Sequence, residues 1–229
     1  FKILTELREL KLLPVTPDSL SGVLTLADRI FDDVVNEYHE ELAPAIPKIW
    51  EQQTEDLRWD IRGWLREMAQ ASHENWTPRW FELSFGLRKQ QAGDPASQTD
   101  PITLIDNIRV RGAIDMVEEK AGRIRITDHK TGKAPSQGPG YTGKGEILQP
   151  VLYAQAAEIL LGKSAESGRL SFCTERGGYK TFDVPIDDQA RQVRQQNIGC
   201  RQILEHLQRQ RLVGVGCDGH RAVDAWLIG

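Results

Sequence analysis

Two segments of the chain have the pattern of a β-hairpin, and they carry three charged side chains. Such side chains could hold a metal ion and assist a hydrolysis reaction. Asp115 precedes the turn, and Asp128 and Lys130 follow it. The glycine in Ala121–Gly122 favours a two-residue turn, and in that register Asp115 falls opposite Asp128. Opposed residues of this kind have Cβ atoms about 4.5–5.5 Å apart. Because side chains alternate along a strand, Asp128 and Lys130 point to the same face.

Two adjacent carboxylates destabilise a sheet unless something neutralises them, and this face also carries Ile124 and Ile126. A divalent cation removes the repulsion. Hard oxygen ligands suit Mg²⁺ or Mn²⁺, which commonly bind one or two carboxylates and keep several waters. Such an ion activates water and stabilises charge on a phosphoryl oxygen, and a neighbouring lysine assists. A salt-bridged Asp–Lys–Asp cluster on a solvated face is the alternative, and another loop length would change the register.

The first third of the chain predicts helices. Apolar residues recur at helical spacing in three stripes, and these positions favour a packed core over a cofactor site. Asp18 is a plausible N-cap for the second helix, and Pro47 precedes the third. The stripes comprise Leu4, Leu7, Leu10 and Leu13; Leu20, Val23, Leu24, Ala27, Ile30, Phe31 and Val34; and Leu57, Ile61, Trp64, Leu65 and Met68.

The remainder of the chain predicts strands with two further helices. Pro150 fits only the first turn of a helix, so it places the start of one near Leu148. Asp187 or Asp188 could cap a last amphipathic helix that ends near Gln210. This order predicts a mixed α/β domain. The expected strands cover 80–85, 108–118, 123–130, 169–174 and 181–184, and the first of these two helices covers 148–161.

Three short motifs then occur in order. Gly112-Ala113-Ile114-Asp115 is G-x-x-D, Asp128-His129-Lys130-Thr131-Gly132 is D-x-K-T-G, and Gln149 and Tyr153 form Q-x-x-x-Y on one helical face. In this combination and spacing they resemble the PD-(D/E)XK nuclease superfamily, and most of all its RecB/AddB-type exonuclease domains. The resemblance covers residues 80–185 well and the rest loosely.

The resemblance implies a restriction-endonuclease-like α/β core with a mixed central sheet flanked by helices, plus an N-terminal helical region. We expect one nuclease domain over 1–229, with a helical subregion over 1–75, a nuclease core over 76–210 and a tail over 211–229. Since the chain starts at Phe1 without a methionine, we also expect it to be a fragment of a longer protein.

The resemblance also assigns roles to residues of the motifs. Asp115 and Asp128 match the metal-binding acids, and Lys130 matches the catalytic lysine. His129 would contribute its backbone carbonyl to the metal. The remaining matches are Gln149 and Tyr153, which would line the active site and position the lysine or the DNA strand, and Glu82, which resembles an additional upstream acid.

Two departures from the family pattern concern metals. The histidine usual on the first helix is missing, which would weaken metal binding or alter the activity if it does not lie upstream of Phe1. Some relatives hold an iron–sulfur cluster with four cysteines, but the chain contains three scattered ones, Cys173, Cys200 and Cys217. We therefore expect no iron–sulfur cluster, because three separated thiols cannot complete a four-thiolate site. We expect Cys173 to be a small buried residue of a strand.

The glycine-rich loop over 131–145 holds two further lysines, Lys133 and Lys144. A Gly-x-x-x-x-Gly-Lys run over 138–144 is followed by Gly145, where a phosphate loop for ATP needs Ser or Thr. The lysines suit contact with a DNA backbone instead. A solvated loop is the alternative.

Composition limits the other function classes. With 229 residues, 39% hydrophobic and 27% charged, the chain has the make-up of a globular protein. A formal net charge of −4 excludes a general coat for polyanions but permits a local basic patch. No apolar run is long enough for a transmembrane helix, and no signal peptide is recognisable. The cysteines form no disulfide framework, so we expect a cytoplasmic protein without a membrane partner.

These observations predict a Mg²⁺- or Mn²⁺-dependent nuclease that hydrolyses DNA phosphodiesters. By resemblance, its substrate is single-stranded DNA or a duplex end, and a helicase domain or subunit partners it in DNA repair or recombination. Two alternatives stay open: a catalytically weak DNA-binding or scaffold module of such a complex, and a structure-selective endonuclease.

Overall fold

The computed structural model describes residues 1–42, 45–87, 93–104, 108–136, 148–187, 215–216 and 223–226. The predicted last helix, Lys144, Cys200 and Cys217 lie outside these ranges. The chain forms two compact units. The first contains residues 1–78, 129–134 and 171–180, and the second contains 79–128, 135–170 and 181–229. The division of 1–229 into a helical subregion, a core and a tail within one domain stays a prediction.

Helices form most of the first unit. They are α1 (Lys2–Glu9), α2 (Leu20–Leu42) and α3 (Pro47–Ala71), followed by a 3₁₀ turn at Ser72–Glu74. The third helix was expected to begin after Pro47, but Pro47 is itself the first residue of α3, where its missing N–H costs no hydrogen bond. The N-cap prediction for Asp18 is wrong, because α2 begins one residue later, after Ser19. The Ser19 hydroxyl donates to the carbonyl oxygen of Thr16 (3.2 Å) and accepts from its backbone N–H (3.0 Å).

Apolar side chains of the three helices pack into one core. Its buried members include Leu7, Val23, Ala27 and Leu65. Two predicted core positions are wrong: Leu10 is 56% exposed and Leu57 is 53% exposed. Leu10 directly follows the last residue of α1, and Leu57 lies on the exposed side of α3. Among the described residues, no helix is long and apolar enough to span a membrane.

The strands form one mixed sheet. β3 (Ile108–Lys120) pairs antiparallel with β4 (Arg123–Lys130) and parallel with β8 (Val223–Trp226). Six strands follow the order β6-β5-β4-β3-β8-β7, and β1 and β2 also pair with β3. The others are β1 (Thr77–Phe85), β2 (Ile102–Thr103), β5 (Ala165–Phe172), β6 (Thr181–Pro185) and β7 (Val215–Gly216).

The predicted α/β class with a mixed sheet and an N-terminal helical region is confirmed. The helix α4 (Leu148–Leu161) has the predicted bounds and contacts β3. Four predicted strands have different bounds. β1 starts three residues earlier than expected, and β3 extends to the turn. β5 starts four residues earlier and ends two residues earlier, and β6 ends one residue later. The short strands β2, β7 and β8 were not predicted.

The turn between β3 and β4 has the predicted two residues. Lys120 pairs with Arg123, and the ladder continues to Met116 opposite Thr127. Both turn residues have positive φ, 49° at Ala121 and 79° at Gly122. This is the backbone of a type I′ turn, whose twist matches that of the flanking strands.

The hairpin also carries a buried ion pair. Arg125 and Glu118 face each other across the ladder, and their side chains are 4% and 7% exposed. Arg125 donates from Nε and Nη2 to the two carboxylate oxygens, each at 2.8 Å. The hydroxyl of Thr127 donates to Oε2 of Glu118 at 2.9 Å. Both faces of β4 are therefore buried, one around isoleucines and the other around this pair.

Because Ala121 adopts a left-handed conformation, Ala121→Asn should raise the free energy of unfolding by about 0.5–1 kcal/mol. Gly122→Ala should lower it by about 1–2 kcal/mol through backbone strain alone, since open space surrounds its Cβ position. Urea unfolding measures both. Two variants as stable as the unmodified chain would contradict this description of the turn.

Glu118→Gln should lower the free energy of unfolding by about 3–5 kcal/mol, because it removes the charge of the carboxylate that accepts two hydrogen bonds from the buried Arg125 guanidinium. The double variant Glu118→Leu/Arg125→Leu should recover most of that loss. The control is Lys163→Ala, which breaks a more exposed pair with Glu119 (2.7 Å) and should cost less than about 1 kcal/mol. Urea unfolding at pH 7 distinguishes the pairs; equal losses in both single variants would contradict the burial argument.

Candidate active site

Asp128 is the most enclosed of the predicted metal-binding acids. It lies near the end of β4, is 2% exposed and shares its face with Ile124 and Ile126. Gln149, in the first turn of α4, donates from Nε2 to Oδ1 of Asp128 at 3.2 Å and is itself 4% exposed. The structure therefore brings the second and third sequence motifs into direct contact.

Asp115 lies on β3, where its side chain is half-buried. The recorded ladder ends with Met116 opposite Thr127, one residue before it. The same register, continued by one step, places Asp115 opposite Asp128. The alternation predicted from the two-residue turn thus leads both carboxylates to one region of the hairpin.

Tyr153 connects further acids with this region. Its side chain is 1% exposed, and burial is the main cause that raises the pKa of its phenol above the usual range. The carboxamide of Gln149 acts in the opposite direction. Three carboxylates raise the pKa further, those of Asp128, Asp115 and Glu82. Tyr153 is therefore neutral across the physiological pH range and lies within electrostatic reach of all three acids.

Glu82 occupies a strained position in β1. Its φ is 50°, in the left-handed region, although it is not a glycine. This conformation costs about 1–3 kcal/mol and is concentrated at functional sites. The side chain is half-buried, and burial raises the pKa of its carboxyl group. These features support its selection as a site residue, while its metal contact stays a prediction.

Lys130 and His129 follow Asp128 at the end of β4. Lys130 is half-buried, and its backbone oxygen accepts a hydrogen bond from the N–H of Cys173 at 3.0 Å. The ring of His129 packs edge-on against Trp64 of α3, with 5.2 Å between centroids. Burial lowers the pKa of this imidazole to about 4, so it is neutral at pH 7. The roles of the Lys130 ammonium and the His129 carbonyl stay predictions.

The two aspartates suit an ion that binds through few protein ligands and keeps part of its water shell. In the part of the chain that the structure describes, no three His, Cys, Asp or Glu side chains form a group able to enclose a metal. Mg²⁺ and Mn²⁺ need no such cage, since they bind through one or two carboxylates and retain waters. Asp115 and Asp128 offer those two carboxylates.

The structure also shows the exposure of two other residues for which a role was predicted. Lys133 is exposed just beyond β4. Cys173 is half-buried and follows the last residue of β5, so its prediction as a buried strand residue is wrong. Its thiol instead lies beside the strand exit, donating to the backbone oxygen of Lys130 at 3.6 Å.

Gly168, which the sequence motifs did not single out, allows α4 to pack closely against β5. A Cβ added at Gly168 of β5 would lie 2.5 Å from Cβ of Pro150 and 3.3 Å from its carbonyl carbon. The glycine therefore permits the first turn of α4, which carries Gln149, to lie directly on the strand. A glycine inside a strand is a signal for such a close backbone approach.

A comparison with protein-family models gives a match over residues 3–220. The chain belongs to the PD-(D/E)XK nuclease superfamily. Membership supports nuclease activity, DNA as substrate and use of a divalent metal. No curated protein is significantly similar to this chain. The superfamily part of the predicted resemblance is confirmed.

Gly168→Ala should displace α4 and lower both stability and nuclease activity. Overpacking of this kind costs about 1–3 kcal/mol, because Cβ of the rigid Pro150 ring blocks the added methyl group. The control is Gly22→Ala in α2, where no atom lies within 4 Å of the Cβ position. That variant should keep full activity and be as stable or slightly more stable. Thermal unfolding and a cleavage assay test the pair; unchanged activity in Gly168→Ala would contradict the seating of α4.

Proposed function

We propose that this chain is a metal-dependent deoxyribonuclease of the RecB/AddB type, acting as a single-strand exonuclease beside a helicase in DNA repair or recombination. The contact between Asp128 and Gln149 is the main support. It unites D-x-K-T-G and Q-x-x-x-Y at a buried carboxylate, within a chain whose superfamily is one of nucleases.

Asp115 and Asp128 would hold the ion, together with the backbone carbonyl of His129, and Glu82 would be an additional acidic ligand. When bound, Mg²⁺ or Mn²⁺ supplies Lewis acidity, lowering the pKa of water and offsetting charge on the phosphoryl oxygens. The burial of Asp128 strengthens the electrostatic interactions of its carboxylate.

The other motif residues would position the reacting groups and neutralise negative charge on the phosphate. Gln149 fixes the orientation of the Asp128 carboxylate by its hydrogen bond. Tyr153, kept protonated by its surroundings, retains a hydroxyl proton for donation. Lys130 lies two residues beyond Asp128 on the same strand and is assigned to orient the attacking water and to stabilise negative charge on the phosphate. Lys133 and Lys144 are assigned to the DNA backbone.

Asp128→Asn and Asp115→Asn should remove metal-dependent cleavage, because each lacks the charge that holds the ion while keeping the side-chain volume. Lys130→Ala should reduce the rate by about 10²–10³-fold. The assay uses end-labelled single-stranded DNA with Mg²⁺, Mn²⁺ or EDTA, and EDTA should abolish cleavage by the unmodified chain.

Asp18→Asn, at an exposed carboxylate, is the matched control and should cleave normally. Circular dichroism verifies that each variant is folded. Wild-type rates in Asp128→Asn or Lys130→Ala would overturn the site assignment. Cutting of a closed circular single strand would show endonuclease action, and absence of cleavage in a folded sample that binds DNA would favour the scaffold alternative.

A further inference from the structure

Positive charge is concentrated in two short segments of the first unit, residues 129–134 and 171–180. They contain four cations, Lys130, Lys133, Arg176 and Lys180, and one acid, Glu175. Four minus one gives +3 with histidine neutral. Because the whole chain has a net charge of −4, the remaining residues sum to −7. The segment that leaves β4 and the turn that leaves β5 are thus basic in an acidic protein.

The turn after β5 is fastened to the segment that leaves β4. The N–H of Cys173 donates to the oxygen of Lys130 at 3.0 Å, and the hydroxyl of Thr174 donates to the oxygen of Thr131 at 3.3 Å. A Cβ at Gly177 would lie 3.0 Å from the oxygen of Gly132. These contacts bring the two basic segments together.

Helix α3 fixes the same turn from another side. The N–H of Glu175 donates to Oδ1 of Asp60 at 2.8 Å. The phenol of Tyr179 lies over Gly63, where any added Cβ would overlap it. Anchored at both points, the turn presents its exposed side chains in a defined place.

The cations of this arrangement are available for a ligand. Lys133, Arg176 and Lys180 are exposed, and within the described ranges none of the three forms an ion pair. The nearest acid in sequence, Glu175, is also exposed. Exposed cations on two segments that are hydrogen-bonded to each other match the repeated phosphates of a nucleic-acid strand, which lysine and arginine bind without reading sequence.

We propose that the turn over 174–180 is a DNA-backbone binding element, in which Arg176 and Lys180 hold phosphates together with Lys133. This rests on the proposed function for its ligand, DNA, and adds a binding element outside the three motifs. The contacts are to phosphates, so they contribute affinity and salt dependence but no sequence preference.

The test is binding of a fluorescein-labelled 20-mer of single-stranded DNA in EDTA, where no cleavage occurs, measured by anisotropy at several salt concentrations. Arg176→Ala/Lys180→Ala should reduce the slope of log K against log salt by about 1.4, as expected for two lost phosphate contacts. At about 0.1 M salt the dissociation constant should rise about 10–30-fold. Arg176→Lys/Lys180→Arg should restore the slope.

Lys11→Ala/Lys48→Ala is the matched control, because it removes the same charge from two exposed lysines elsewhere. It should leave the slope unchanged. A slope equal to that of the unmodified chain in Arg176→Ala/Lys180→Ala, or an equal loss in the control pair, would overturn the proposal. Asp128→Asn distinguishes the proposed nuclease site from the proposed binding element. This variant should lose cleavage but keep the unmodified slope of log K against log salt, so each proposal can be contradicted without the other.

Discussion

The register of β3 against β4 is the constraint on which the candidate site depends. A slip of one residue would turn every side chain of β4 to the opposite face. Asp128 would then leave Gln149, and Arg125 would leave Glu118. The tight turn sets this register locally, and the buried ion pair specifies it again from the other face of the strand. The same geometry that stabilises the hairpin therefore aligns its acids.

Burying carboxylates is unfavourable, and the structure compensates for it in different ways. Glu118 is neutralised by a bidentate arginine and a threonine hydroxyl. Asp128 accepts a hydrogen bond from the carboxamide of Gln149, and Tyr153 lies within electrostatic reach of Asp128, Asp115 and Glu82. Glu118 therefore belongs to an ion pair that specifies structure, whereas the binding of a metal by Asp115 and Asp128 stays a prediction.

Helix α4 links this electrostatic arrangement to packing. Residues 151–157 are buried on every side of the helix, so its position is determined by close contacts throughout. Gly168 permits the first turn to lie on β5, and Tyr153 meets Phe85 edge-on at 6.4 Å between centroids. Small changes at these contacts act on Gln149 and Tyr153 together, because both belong to the same rigid helix.

The sequence alone determined the features that depend on near neighbours. The turn glycine, the alternation of β4 and Pro150 predicted the hairpin register and the bounds of α4, and three motifs predicted the superfamily. Only the tertiary structure decided the features made by distant residues: the pairing of β8 with β3, the left-handed Glu82, the exposure of Leu57 and the seat at Gly168. Strands of two to four residues are too short for a periodic pattern to be recognised in the sequence. The burial of a side chain depends on which distant surfaces of the chain pack together.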